Sequence, residues 1–178
     1  MSPLTAAILA WLLAQPPYSL DHETPRARAE RMAVIASAAT LGVEQSGFRG
    51  DKVELTAAVL TTWQHESHFA LHIHADRCRA HECDNGKAKT LGQLHVTRSF
   101  PREQWQAAAG LGLAATTDAA RETARLLGSH LVTCAKRGTP GWGHAMALYG
   151  TGRTCQHAKL EARAKGMARV IARLRGAK

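Results

Sequence analysis

The chain has 178 residues and carries 23 Lys and Arg against 14 Asp and Glu, a formal charge of +9. Its partners are therefore sought among anions: nucleic acid, acidic lipid or an anionic cell-wall polymer. At 45% hydrophobic and 21% charged the composition excludes a disordered or fibrous chain, and the length suffices for one domain that buries about 70% of its unfolded surface. Ala and Leu dominate the apolar residues, which favours helices. Nucleic acid is not expected as the partner, because no aromatic residues are interleaved with the basic ones for base stacking.

Leu4 to Ala14 is apolar but shorter than the ~20 residues that span a bilayer, and stable membrane insertion is not expected. It lacks a positive leader region, and Gln15-Pro16-Pro17 stands where a signal would have a small-residue cleavage site. It reads as a short packed helix, with a degenerate signal or a membrane-touching segment as the alternative. Thr24-Pro25 is a cap residue followed by proline at the first helical position. The helix it starts is expected to run to about Thr40, with Met32, Ile35 and Ala39 inward and Arg26, Arg28 and Arg31 outward. Gly42 and Gly47 to Gly50 then read as a loop.

The next helix is the centre of the chain. Leu55, Val59, Thr62 and Trp63 recur at helical spacing, and Glu66, about three turns after Leu55, falls on the same face. A carboxylate at the inner edge of an apolar helix is costly to ionise, which suits a general acid. The alternative is a Glu satisfied by a cap or a salt bridge. Ala70 to Thr90 is rich in His, Cys, Asp, Asn and Gly with almost nothing to bury, and a long polar loop of this kind is usually functional or disordered. Leu91 to Val96 reads as a short extended or tightly turned piece, and Thr97 as the cap of a short helix around Pro101 to Ala109.

Thr117-Asp118 is expected to start a long amphipathic helix ending near Lys136, with Ala120, Ala124, Leu127 and Leu131 on its apolar side. A turn at Gly138 to Gly143 leads to a short apolar helix, His144 to Tyr149, broken by Gly150-Thr151-Gly152. The last helix, about His157 to Leu174, puts Leu160, Met167, Val170, Ile171 and Leu174 inward and its arginines outward or in between. Its basic side is a solvated face, or alternatively a membrane-surface face. The expected fold is mainly α with little or no sheet.

Cysteines at positions 78, 83, 134 and 155 allow three pairings. Cys78 with Cys83 and Cys134 with Cys155 is the simplest, and suits a protein working outside the reducing cytosol. Four free thiols remain the alternative. A metal reading stands beside both, because His65, His68, His72, His74, Cys78, His81 and Cys83 crowd into one stretch and zinc prefers these residue types. His65-Glu66-Ser67-His68 lacks the four-residue His spacing of a zincin helix. His74, Cys78, His81 and Cys83 form the candidate zinc set, which would make the chain a zinc-stabilised basic binding module.

Three stretches occur in order: Glu66-Ser67 at a helix end, Leu91-Gly92-Gln93-Leu94 in a loop, and Ala147-Leu148-Tyr149-Gly150-Thr151-Gly152 closing a short helix. From Ala57 to Leu174 this order resembles the lysozyme-like lytic transglycosylases, the soluble and goose-type lysozyme branch and its phage-borne forms. The resemblance implies one lysozyme-like helical domain over residues 1–178, with 1–50 an N-terminal helical extension and 51–178 the catalytic core. It implies Glu66 as catalytic acid and base, Ser67 positioning substrate, Gln93 lining the sugar cleft and Tyr149 bonding near Glu66. Thr90 stands where the family has Gly, Gly92 where it usually has Met, and Gly150 where it usually has Asn.

The implied reaction cuts peptidoglycan between N-acetylmuramic acid and N-acetylglucosamine and leaves 1,6-anhydro ends, without a cofactor. The implied partner is the glycan strand. The implied protein is a monomer acting at the bacterial wall, in the periplasm, outside the cell or from a phage particle, as an endolysin does. A muramidase that hydrolyses the same bond is the alternative. Inverting hydrolysis uses a second carboxylate ~6.5–9.5 Å from the first, for which the loop offers Asp76, Glu82 and Asp84.

Overall fold

The computed structural model describes residues 1–19, 21–78, 81 and 83–176. Among them are eight α-helices and one two-stranded sheet: α1 Pro3–Leu13, α2 Pro25–Gln45, α3 Lys52–Ser67, α4 Leu71–His74, β1 Ala88–Lys89, β2 Leu94–His95, α5 Arg102–Ala107, α6 Leu113–Lys136, α7 Trp142–Thr151 and α8 Leu160–Arg175. The fold is mainly α, as composition and periodicity predict. No helix among the described residues is long and apolar enough to cross a membrane.

The starts of the first three helices follow from side chains that satisfy otherwise unpaired backbone N–H groups. Ser2 accepts from the Thr5 amide, and Thr24 from the Ala27 amide with Pro25 at the first helical position. Asp51 accepts from the amides of Val53 and Glu54. α3 is the hub: every residue from Leu55 to Trp63 is buried, and α2, α6, α7 and α8 all pack on it. A helix covered on all sides must be small or apolar all round, which explains why threonines and alanines alternate with its larger residues.

Ala7, Ile8, Trp11 and Leu12 of α1 and Met32, Ile35, Ala39 and Val43 of α2 belong to the same core as Leu55, Leu60 and Trp63. Residues 1–50 thus supply part of the packing around α3.

Several expectations are corrected. α2 does not stop near Thr40, and Gly42 is no loop residue. A Cβ at Gly42 would lie 2.5 Å from the Ala120 Cβ and 2.6 Å from the Arg121 amide nitrogen, so this glycine lets α2 and α6 cross at close range. α6 begins at Leu113 after Gly112, a turn earlier than Thr117. Thr97 does not cap α5; Pro101 precedes it, and Thr97 instead closes a tight turn on Phe100. The stretch 70–90 does bury side chains: Ala70, Ile73, Cys83 and Ala88 form a small second core.

Arg31 does not face outward. It is 7% exposed, forms a two-point ion pair with Glu23 at 2.9 and 2.8 Å, and donates to the Phe69 carbonyl at 2.7 Å. The cause lies at the end of α3, where His68 and Phe69 adopt left-handed φ of 50° and 54° and turn that carbonyl inward.

Both disulfides adopt the simplest pairing, Cys78–Cys83 and Cys134–Cys155. The second ties the end of α6 to the connection between α7 and α8.

His74 is buried, with Nε2 2.9 Å from Thr116 Oγ1. Burial, reinforced by the nearby Arg31 charge, pushes it from 6.5 down to about 3. Between these two values the unfolded chain holds a proton that the folded chain does not. Its contribution to stability is therefore complete above 6.5 and is lost progressively as pH falls toward 3. The loss at pH 4.5 is expected to be about 2–3 kcal/mol, which for a chain this size is a melting shift of roughly 5–10 °C. Comparing melts at pH 7.5 and 4.5 checks this. His74→Gln should show a correspondingly smaller drop; an equal drop in both proteins would exclude His74 as its source.

Candidate active site

The site is built where α3 ends. Trp63 is fully buried and its Nε1 donates to Thr123 Oγ1 on α6 at 3.2 Å, which anchors the last turn of α3. Ser67 is 2% exposed. Its hydroxyl donates to the Trp63 carbonyl at 2.8 Å and accepts from the Phe69 amide at 3.3 Å. Ser67 thus secures the helix exit from within, and two consecutive non-glycine residues in left-handed conformation follow it, each at an energetic cost.

Glu66 lies beside this anchored turn with its side chain 21% exposed, and its Oε1 accepts from Arg163 Nη2 at 3.0 Å; the guanidinium side chain is 9% exposed. Arg163 Nη1 donates in turn to the Met146 carbonyl of α7 at 2.7 Å. A Cβ at Gly150 would lie 2.8 Å and 2.9 Å from the two terminal guanidinium nitrogens. Arg163 therefore occupies the space a side chain at 150 would need, which accounts for glycine where the resemblance leads one to expect Asn. Glu66 Oε2 has no hydrogen-bond partner among the described residues.

Tyr149 closes the third side. Its hydroxyl donates to the Gly92 carbonyl at 2.6 Å. Burial raises the phenol well above its ordinary value, and the carboxylates of Glu66 and Glu122 push the same way, against a bond to Thr123 and the Arg163 charge. Tyr149 is a protonated donor throughout the neutral range. A Cβ at Gly92 would come within 2.7 Å of Thr123 Oγ1 and 2.9 Å of both Trp63 Nε1 and the Tyr149 hydroxyl, so only glycine fits this cage of polar groups. Thr90, with φ of 72°, holds a left-handed conformation that glycine would adopt freely. Its hydroxyl offsets part of that strain by accepting from the Gly92 amide at 3.3 Å.

The structure brings Glu66, Tyr149 and the Gly92 backbone into one neighbourhood. It gives the remaining predicted residues other contacts. The Ser67 hydroxyl is used by its own helix end, and Gln93 directs its amide to Cys83 Sγ at 3.2 Å. Among the loop acids, Asp76 is paired with Lys89 and Asp84 with His95, while Glu82 lies outside the described residues. His65, next to Glu66, is lowered from its ordinary value, first by burial and then by the positive charges of Arg163, His68 and Lys159.

The zinc set is corrected. Cys78 and Cys83 are joined to each other, His74 is buried against Thr116, and His81 is exposed. No group of three or more His, Cys, Asp or Glu among the described residues is placed to hold a metal ion.

Two buried charges escape the sequence reading. Arg163 follows Leu160 by three residues and precedes Met167 by four, so the helical period itself puts it on the inner face of α8; that signal was available. Glu122, 5% exposed, pairs through both oxygens with Arg125 at 2.7 and 2.6 Å. In sequence the two look like an ordinary solvated i, i+3 pair. Comparison of the chain with protein-family models, curated proteins and solved structures finds no match.

Proposed function

We propose that the chain is a peptidoglycan lytic transglycosylase with Glu66 as its acid and base, in a lysozyme-like helical domain. The observation that supports this most is the part-buried carboxylate at the end of a buried helix, with one oxygen engaged by Arg163 and the other without a hydrogen-bond partner among the described residues. Oε2, carrying the proton, gives it to the glycosidic oxygen as that bond breaks and an oxocarbenium-like sugar forms. The leaving strand departs with the proton. The carboxylate then takes the proton of the same sugar's C6 hydroxyl, whose oxygen closes on C1 to give the 1,6-anhydro end. The nucleophile is already tethered, so one carboxylate suffices and effective molarity favours ring closure.

Arg163 stabilises the carboxylate in the interval when it is charged, and its second bond to Met146 keeps it in place when the acid is protonated. A single-carboxylate route leaves Glu122 and Asp76 in their ion pairs with Arg125 and Lys89 and Asp84 against His95. The charge of +9 draws the protein to an anionic wall, an attraction that weakens with salt. Two disulfides fit work outside the reducing cytosol, at the wall as an endolysin or a phage-borne enzyme.

Purified peptidoglycan incubated with the protein and analysed by mass spectrometry tests the proposal. Soluble fragments with 1,6-anhydro ends are expected. Fragments with only reducing ends would replace the lyase by a muramidase, and the absence of any fragments would overturn both.

A further inference from the structure

On the side of α3 away from Glu66, the segment after α1 folds against the helix end and leaves a groove of about 280 Å³. Gln15, Pro17, Tyr18, Gln64, His68 and Phe69 are among its lining residues. The Tyr18 ring stacks on His68 with centroids 6.4 Å apart and planes 21° apart. Gln64 Nε2 donates to Gln15 Oε1 at 2.8 Å, and Gln15 Nε2 donates to the Trp11 carbonyl at 3.0 Å. The Gln15 carbonyl accepts from Arg28 at 2.6 Å. The walls are thus fixed by hydrogen bonds before any ligand arrives, which reduces the ordering cost of binding.

Among the described residues the groove's own lining has no Lys, Arg, Asp or Glu, and the cavity that adjoins its inner end has two acids, Asp21 and Glu23, balanced by Arg28 and Arg31. The groove therefore presents no net positive charge with which to select an anion, although the chain as a whole carries +9. It offers an aromatic face, proline surfaces, carboxamides and a phenol, which suit a neutral ring with one apolar face and a rim of hydroxyl or acetamido groups. The volume is near the lower end of small-ligand sites, about 300–1,000 Å³, enough for a sugar residue and too small for a folded partner.

Gln64 and His68, four residues apart, share this side, with Glu66 across the helix end. A helix with its side chains is about 10–12 Å wide, a distance that a short oligosaccharide covers. We infer that the Tyr18–His68 groove is a secondary binding site for an uncharged N-acetylhexosamine residue of the glycan strand, held away from the scissile bond. The inference rests on the glycan-cleaving reading and names a contact made by the N-terminal segment, which lies outside the resemblance.

The test is an NMR titration of the Glu66→Gln protein with the uncharged N-acetylglucosamine trimer, repeated in Tyr18→Ala and Tyr18→Phe backgrounds. Shifts at Tyr18, Ser19 and His68 are expected, with binding three- to tenfold weaker in Tyr18→Ala and near the parent in Tyr18→Phe, which keeps the ring. Shifts that never reach these residues, or equal binding by Tyr18→Ala and the parent, would overturn the site even if the wild-type protein cleaves peptidoglycan. Binding at Tyr18 by a protein that leaves peptidoglycan intact would uphold the saccharide site and remove the transglycosylase reading instead. If Tyr18→Ala does not fold, the shift map of the parent and the Tyr18→Phe titration decide the matter.

Discussion

Glu66→Gln is expected to lower the rate of peptidoglycan solubilisation by on the order of 10²–10⁴-fold, the range for losing a positioned acid and base. The amide keeps the shape of the side chain, and its oxygen still accepts from Arg163, but it can neither deliver a proton to the glycosidic oxygen nor take one from the C6 hydroxyl. Arg163 retains its bond to Met146, so the site should hold together and the variant should melt as a folded protein. Release of soluble fragments from purified walls, measured beside a thermal melt, reads both quantities. A variant that solubilises walls at the parent rate would remove Glu66 from the chemistry. One that is inactive and unfolded would be uninformative about the acid, which is why the melt accompanies the assay.

Arg163→Ala is expected to cost about 3–5 kcal/mol of folding stability, the usual result of removing one partner of a buried ion pair. Three losses combine: Glu66 is left largely enclosed without its counter-charge, the Met146 carbonyl loses its donor, and the space beside Gly150 empties. Urea unfolding measures the change. Because the main penalty is the stranded carboxylate, adding Glu66→Gln to Arg163→Ala should recover part of the loss, a coupling visible in a double-mutant cycle. The neighbouring glycine offers a second check. Gly150→Ala should destabilise the parent, where its Cβ meets the guanidinium, and be tolerated once Arg163 is gone. Equal effects of Gly150→Ala in both backgrounds would contradict the close packing of that pair.

The elements were legible in the sequence where a local rule governs them. Thr24-Pro25 announced α2, the spacing of Leu55, Val59 and Trp63 announced α3, and the cysteine positions suggested the pairing the structure has. The misread points are places where distant segments set the answer. Gly42 looks like a breaker until α6 is laid across it, and Arg31 looks solvated until the Phe69 carbonyl turns inward beneath it. The same holds at the site. The inward placement of Glu66 could be read from its period, but the displacement of a side chain at 150 by a guanidinium on another helix could not. Gly92 is likewise intelligible only once Trp63, Thr123 and Tyr149 are seen to converge on it. Arg163 is the exception, since its own periodicity pointed inward and only its charge argued otherwise.

The pairing of Glu66 with Arg163 spans 97 residues, and this has a consequence for the timing of biosynthesis. At about 5–20 residues per second the ribosome delivers the carboxylate roughly 5–20 seconds before its counter-charge. Tyr149 and Cys155 also emerge in the later part of that interval. A nascent chain therefore carries α1, α2 and α3 while its acid is still without Arg163 or Tyr149. The site is completed in one late event, and a chain cut short before α8 would carry the glutamate without the setting that lets it act.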